Sequence, residues 1–198
     1  MKRKCILTTT NGGAAMWVVL VVLIVTLFIM LIPPGCGGRE KARRTQCLSN
    51  LKQFGLAFAM YAEESQGRMP MDSDNPTLAG SLRLVEKWVS GTKIMVCPSA
   101  NTDRWLWDNV YPAKDWSRLT SKNIGYSYVP NLLSTKDTNI VVMLDKVGST
   151  KKGSKWPADG NHHDARGNVL FTDGHVWFFA SLPSDLKDKD GVERVLSP

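Results

Sequence analysis

A chain of 198 residues, 43% of them hydrophobic, suits one domain with appendages and needs no second domain. The formal net charge of +7 looks like a nucleic-acid signal until the charges are located: seven of the 25 Lys and Arg and one of the 18 Asp and Glu precede Thr45, which leaves the rest almost neutral. Phosphate tracking needs a basic stripe on the folded part, so a nucleic-acid partner is excluded.

Residues 1–13 form a basic tail with Lys2, Arg3 and Lys4. From Ala14 to Ile32 the chain is uncharged and apolar except for Thr26, and Pro33, Pro34 and Gly35 close the run. As a helix such a run spans roughly 28 Å, close to the hydrocarbon thickness of a bilayer. The expectation is a single transmembrane helix with its exit over 14–35, in the bacterial inner (cytoplasmic) membrane, the lipid bilayer being the first partner. Basic residues flank both ends, and the three cations of the short tail set the orientation read here, with the C-terminal domain extracytoplasmic. A lipoprotein signal acylated at Cys36 is the rival reading, which the two prolines before Gly35 fit poorly.

Residues 36–181 are expected to form the extracytoplasmic domain. Over 39–65, Cys47, Leu51, Phe54, Phe58 and Tyr61 recur at helical spacing, predicting a long amphipathic helix with Asn50, Lys52, Gln53 and Glu63 off the apolar stripe. A second helix is predicted over Leu78–Val89 with Thr77 as its cap. Short strands follow at Lys93–Cys97, Gly125–Val129, Ile140–Leu144, Asn168–Thr172 and His175–Ala180. Helices before strands indicate an α+β fold with an antiparallel sheet. Asp173-Gly174 predicts a two-residue type I′ turn, which would set Thr172 opposite His175 and Leu170 opposite Trp177. It would also turn Phe171, Val176, Val169 and Phe178 toward the long helix. Residues 182–198 are polar and expected to be a peripheral tail, with Asp185, Asp188 and Asp190 in solvent.

Of four cysteines, Cys47 and Cys97 lie inside the soluble part. Outside the cytoplasm a disulfide between them is chemically permitted, and two buried thiols are the alternative. No CxxC or zinc-type Cys/His spacing is present, which speaks against a structural zinc site.

Three stretches together resemble a known family: REKARRTQCLSNLKQFGLAFAMYAEESQGRMP, VCPS at 96–99, and His163 followed after nine residues by Asp173-Gly174. They are similar to the prepilin-type, processing-associated H-x9-D-G proteins, relatives of type II secretion pseudopilins. The resemblance covers roughly Arg39 to Phe179. It implies a pilin-like fold, in which an N-terminal helix, transmembrane then soluble, lies across an antiparallel sheet. It also implies a structural or assembly role in a type II secretion or type IV pilus-like system, with pilin-like or secretion-machinery proteins as partners and His163, Asp173 and Gly174 as the structural motif. One departure stands at the start: after Gly13 come Ala14, Ala15 and Met16, without the aromatic residue and carboxylate usual in the family's leader.

No nucleophile elbow, phosphate loop or dinucleotide fingerprint is present, and no enzymatic activity is expected. No cofactor is assured. The three histidines, His162, His163 and His175, fall within 14 residues. A divalent metal held by His163, Asp173 and His175 is the sharper reading of them. The preferred one is a hydrogen bond from His163 to Asp173 or to the turn backbone. An anchored ligand-binding module is the functional alternative. It would take carbohydrate on Trp105, Trp107 and Trp116, or a metal at the His163/Asp173/His175 cluster.

Overall fold

The computed structural model describes residues 12–30, 36–74, 76–99, 110–132, 140–147, 156, 162, 166–182 and 196. The chain divides into two compact units, Met1–Arg39 and Glu40–Pro198.

The first unit holds α1 (Gly12–Met30), 19 residues long. Its only polar side chain, Thr26, turns its hydroxyl back to the carbonyl of Leu23 at 2.9 Å. Every large apolar side chain from Met16 to Met30 is exposed, none by less than 47%. Among the described residues no helix is long and apolar enough to cross a membrane by itself. The described helix ends at Met30, two residues before the apolar run does.

The second unit is the expected α+β arrangement, with the long helix packed on an antiparallel sheet. The helix, α2 (Cys36–Glu64), buries the stripe read from the sequence: Cys47, Leu51, Phe54 and Phe58 are at most 1% exposed. Phe54 meets Tyr126 edge-on with ring centres 5.9 Å apart, and Phe58 meets Tyr128 at 5.4 Å, which ties the helix to β1. Such contacts add to area burial. Asn50, expected off the stripe, is buried as well. Its amide donates to the carbonyl of Val96 at 3.3 Å and to the Tyr126 hydroxyl at 3.2 Å, and these bonds are what make its burial tolerable.

The second helix is shorter than its pattern. α3 (Leu78–Arg83) is capped by Thr77, whose side chain accepts from the amide of Gly80, and one 3-10 turn over Glu86–Trp88 replaces its second half. Lys93–Cys97, predicted as a strand, holds another 3-10 turn, Thr92–Met95. The turn lets the adjacent residues Ile94 and Met95 both point inward, which the strict alternation of a strand forbids.

Among the described residues four strands form one sheet in sequence order: β1 (Tyr126–Tyr128), β2 (Val141–Asp145), β3 (Gly167–Phe171) and β4 (Val176–Phe179). All neighbours are antiparallel. The hairpin register differs from the expectation by one residue. Leu170 pairs with Val176, Val169 with Trp177 and Asn168 with Phe178. The cause is the turn: only Gly174 has positive φ (83°), Asp173 does not, and the Gly174 amide bonds the carbonyl of Phe171 at 2.9 Å. This is a three-residue connection closed by a left-handed glycine, not the type I′ turn. Because one residue of slip exchanges the two faces, it is Leu170 and not Phe171 that faces α2. A Cβ added to Gly55 on that helix would lie 3.0 Å from Leu170 Cδ1.

The opposite face is covered at Gly167 by Trp156, which is 3% exposed. A Cβ at Gly167 would fall 2.5 Å from the indole ring, too close for real atoms, and a rigid ring cannot yield as a flexible chain end does. Gly167→Ala is therefore expected to lower stability by about 1–3 kcal/mol through overpacking, read as a lower denaturant midpoint.

Two residues of the tail, expected to be peripheral, belong to the folded unit. Leu182 is buried, and Leu196 exchanges both backbone hydrogen bonds with Tyr128 along the outer edge of β1.

Candidate functional site

The most concentrated chemistry lies where the N-terminal part of α2 in this unit meets the ends of β2 and β3. Glu40, Arg44 and Cys47 sit at i, i+4 and i+7 on the helix and so share one face. Cys47 is joined to Cys97 in a disulfide, with Cα atoms 5.1 Å apart and both residues fully buried. Two residues beyond Cys97, the hydroxyl of Ser99 donates to Glu40 Oε1 at 3.1 Å. The VCPS stretch is thus fastened to the helix three times, by the bond from Asn50 to Val96, by the disulfide, and through Ser99, which the sequence alone presents as an ordinary turn residue.

His162 completes the site. It is 1% exposed and stands between two carboxylates: Nδ1 lies 3.0 Å from Glu40 Oε1 and Nε2 lies 3.1 Å from Asp145 Oδ2. Asp145, the last residue of β2, is also 1% exposed. It accepts from the backbone amide of Asn168 at 2.7 Å and from the Asn168 side chain at 3.0 Å. Phe178 closes over the imidazole edge-on at 5.8 Å, and the Arg44 guanidinium lies 5.2 Å above the Phe178 ring.

This geometry favours the imidazolium. A charged ring gives each carboxylate a donor, whereas a neutral ring protonated at Nδ1 would set the Nε2 lone pair against Asp145, with the Asn168 side-chain amide at 3.2 Å as its donor. Burial pushes the His162 pKa down, but the hydrogen bonds and charges of Asp145 and Glu40 outweigh it, and the net direction is upward. For Glu40, partial burial pushes up, and the bonds from His162, Ser99 and Arg44 prevail, so its pKa falls below the ordinary value.

Linkage then fixes the pH dependence of the disulfide-bonded form. The contribution of His162 is fully present below its unfolded pKa near 6.5 and is lost as pH rises through the higher folded value. That of Glu40 is present above about 4.5 and is lost as pH falls through its lower folded value. Stability followed by denaturant titration is expected to be greatest between these limits and to fall on both sides. His162→Gln should flatten the alkaline limb.

The residues singled out from sequence fare differently. His163 lies outside the described residues, as do Trp105 and Trp107. Asp173 and Gly174 form the β3–β4 turn, where Asp173 accepts from the His175 amide at 3.0 Å and bonds its ring nitrogen. His175 stacks on Phe171 with centroids 4.3 Å apart. Trp116 is half-buried and packs against the core. Glu40, Asp145, His162, Asn168 and Ser99 were not anticipated as a site. One signal was available: an Asp ending the apolar run VVMLD and an Asn opening GNVLF are polar residues at strand ends that pair.

A comparison with known families places one model on the chain, described as a protein of unknown function (DUF1559), over residues 37–83. The match spans α2 and α3 and stops short of His163, Asp173 and Gly174. No curated protein and no solved structure matches the chain. The matched family is associated with prepilin-like and pseudopilin-like proteins, and over α2 and α3 this chain is similar to it.

Proposed function

We propose that the protein is a membrane-anchored, pseudopilin-like component of the bacterial envelope, with a structural or assembly role and no enzymatic one, in a type II secretion or type IV pilus-like system. The observation that carries this reading is the pairing of two helices of opposite character. α1 is apolar and exposed on all sides, and α2 buries one stripe against an antiparallel sheet. A helix apolar all round needs an apolar surrounding. Its 19 residues lie at the short end for a bilayer, a mismatch that local thinning and snorkelling of flanking basic residues accommodate. The back-bonded Thr26 hydroxyl suits that environment, because a free donor in hydrocarbon is costly. The similarity of residues 37–83 to a family with pilin-like associations supports the same reading.

For a partner surface, the domain offers exposed apolar side chains along one groove. Leu56 (61%) lies on α2, and Trp177 (63%) lies on β4, whose outer edge has no neighbouring strand among the described residues. Photo-crosslinkers placed at Leu56 and Trp177 in native membranes are expected to capture pilin-like or secretion-machinery proteins. Recovery of an uncrosslinked monomer from both positions would overturn the assembly role.

A further inference from the structure

We propose that the Cys47–Cys97 cystine and a zinc-class metal centre are alternative states of one buried site, and that the reduced chain binds a single Zn²⁺ through Cys47, Cys97, Asp145 and His162. The four side chains come from α2, the segment before Ser99, β2 and the position just before β3, so no short sequence motif announces them. One ligand atom from each falls within 4.8 Å of all the others, and none of the four residues is more than 1% exposed. Tetrahedral zinc with bonds of about 2.0–2.3 Å holds its ligand atoms roughly 3.3–3.8 Å apart. The widest pairs, up to 4.8 Å apart, must therefore close by about 1 Å, and the sulfur pair must open from bonding distance by about 1.7 Å.

The surroundings of His162 are those of a ligating histidine. A metal-bound imidazole almost always gives its other N–H to a carboxylate, which fixes the tautomer and orients the ring. Here Glu40 Oε1 lies 3.0 Å from Nδ1, so a neutral ring carries its proton there and leaves the Nε2 lone pair on the side of Asp145. Asp145 is itself oriented by two donors from Asn168. In the disulfide form the sulfurs bind each other and not a metal, and the imidazolium bridges the two carboxylates. In the reduced form two thiols share the buried space with Asp145, and zinc binding to the dithiolate and a neutral imidazole exchanges three protons, two from the thiols and one from His162 Nε2, for one divalent ion.

The redox step balances with a water-soluble phosphine as reductant. Phosphorus gives two electrons to the S–S bond and takes its oxygen from one water, whose two hydrogens end on Cys47 and Cys97. Zinc then displaces both thiol protons and the Nε2 proton of His162 to the buffer. The ligand types, two thiolates, an imidazole and a carboxylate, suit zinc over calcium or magnesium.

The test uses the full chain in detergent, with Cys5 and Cys36 replaced by Ser to remove competing thiols. It is unfolded with a phosphine, refolded with equimolar Zn²⁺, freed of loose metal and analysed for zinc. The expected result is one zinc per chain after reduction and none in the disulfide-bonded control. Co²⁺ in its place is expected to show the absorption bands of tetrahedral thiolate coordination. Glu40→Gln leaves all four ligands in place and is expected to weaken zinc binding by about 10-fold or more. Three results would each overturn the proposal: a folded reduced chain without zinc, equal zinc in the Cys47→Ser/Cys97→Ser variant, or a reduced chain that stays unfolded with zinc present.

Discussion

Cys97→Ser is expected to lower the stability of the 40–198 unit by about 4 kcal/mol in the absence of metal. The bridge closes a loop of 50 residues, and the loop-closure relation assigns a cross-link of that length about this much through restriction of the unfolded chain. A domain of this size commonly has ~5–15 kcal/mol in all, so the variant should sit near its unfolding threshold. Between the two half-cystines run the rest of α2, α3 and the turns that lead to Ser99. The loss is therefore expected as cooperative unfolding at lower guanidinium concentration, not as local fraying. A change below about 1 kcal/mol would mean that the bridge restrains little that other contacts do not already hold.

His162→Ala is expected to cost about 3–5 kcal/mol, the penalty typical of stranding a buried charge by removing its partner. Asp145 would keep the two donors of Asn168 and lose the cation at 3.1 Å, and Glu40 would lose the bond at 3.0 Å. The space left beneath Phe178 adds to the loss. A cycle with Asp145→Asn separates these effects. If the ion pair dominates, the double variant should be less destabilised than the sum of the single ones, because removing both charges leaves no stranded partner. Strict additivity would place the cost in packing alone.

Local rules made some of this protein legible and long-range geometry hid the rest. The α2 stripe from Cys47 to Phe58 and the Thr77 cap could be read directly, since each depends on neighbours one or two turns away. The α+β class followed from element order. The hairpin was located correctly at Asp173-Gly174, but its register turned on whether Asp173 would also take positive φ. It did not, and that single dihedral exchanged Leu170 for Phe171 on the helix-facing side. The strand predicted at Lys93–Cys97 failed for a related reason. Its apolar residues are in demand on the same side, and a 3-10 turn meets that demand.

The site was the least legible part because its members are separated by as many as 122 residues, the distance in sequence from Glu40 to His162. Cys/His spacing speaks against zinc only for a motif confined to one loop. It has no force for ligands collected from a helix, a strand and two connections. Asn50 was misplaced for the same kind of reason. Its amide finds Val96 and Tyr126 across the core, and no helical wheel shows that. The buried histidine of the site is His162, next to His163, which lies outside the described residues.

The proposed role requires that α1 lie in lipid and that the α2-and-sheet domain stand outside the cytoplasm. Protease added to intact spheroplasts, followed by alkaline carbonate extraction of the membranes, tests both at once. The expected outcome is loss of the 40–198 domain to external protease, with a short fragment containing α1 retained in the carbonate-washed membrane. A chain released by carbonate, or a domain cut only after the spheroplasts are lysed, would contradict it.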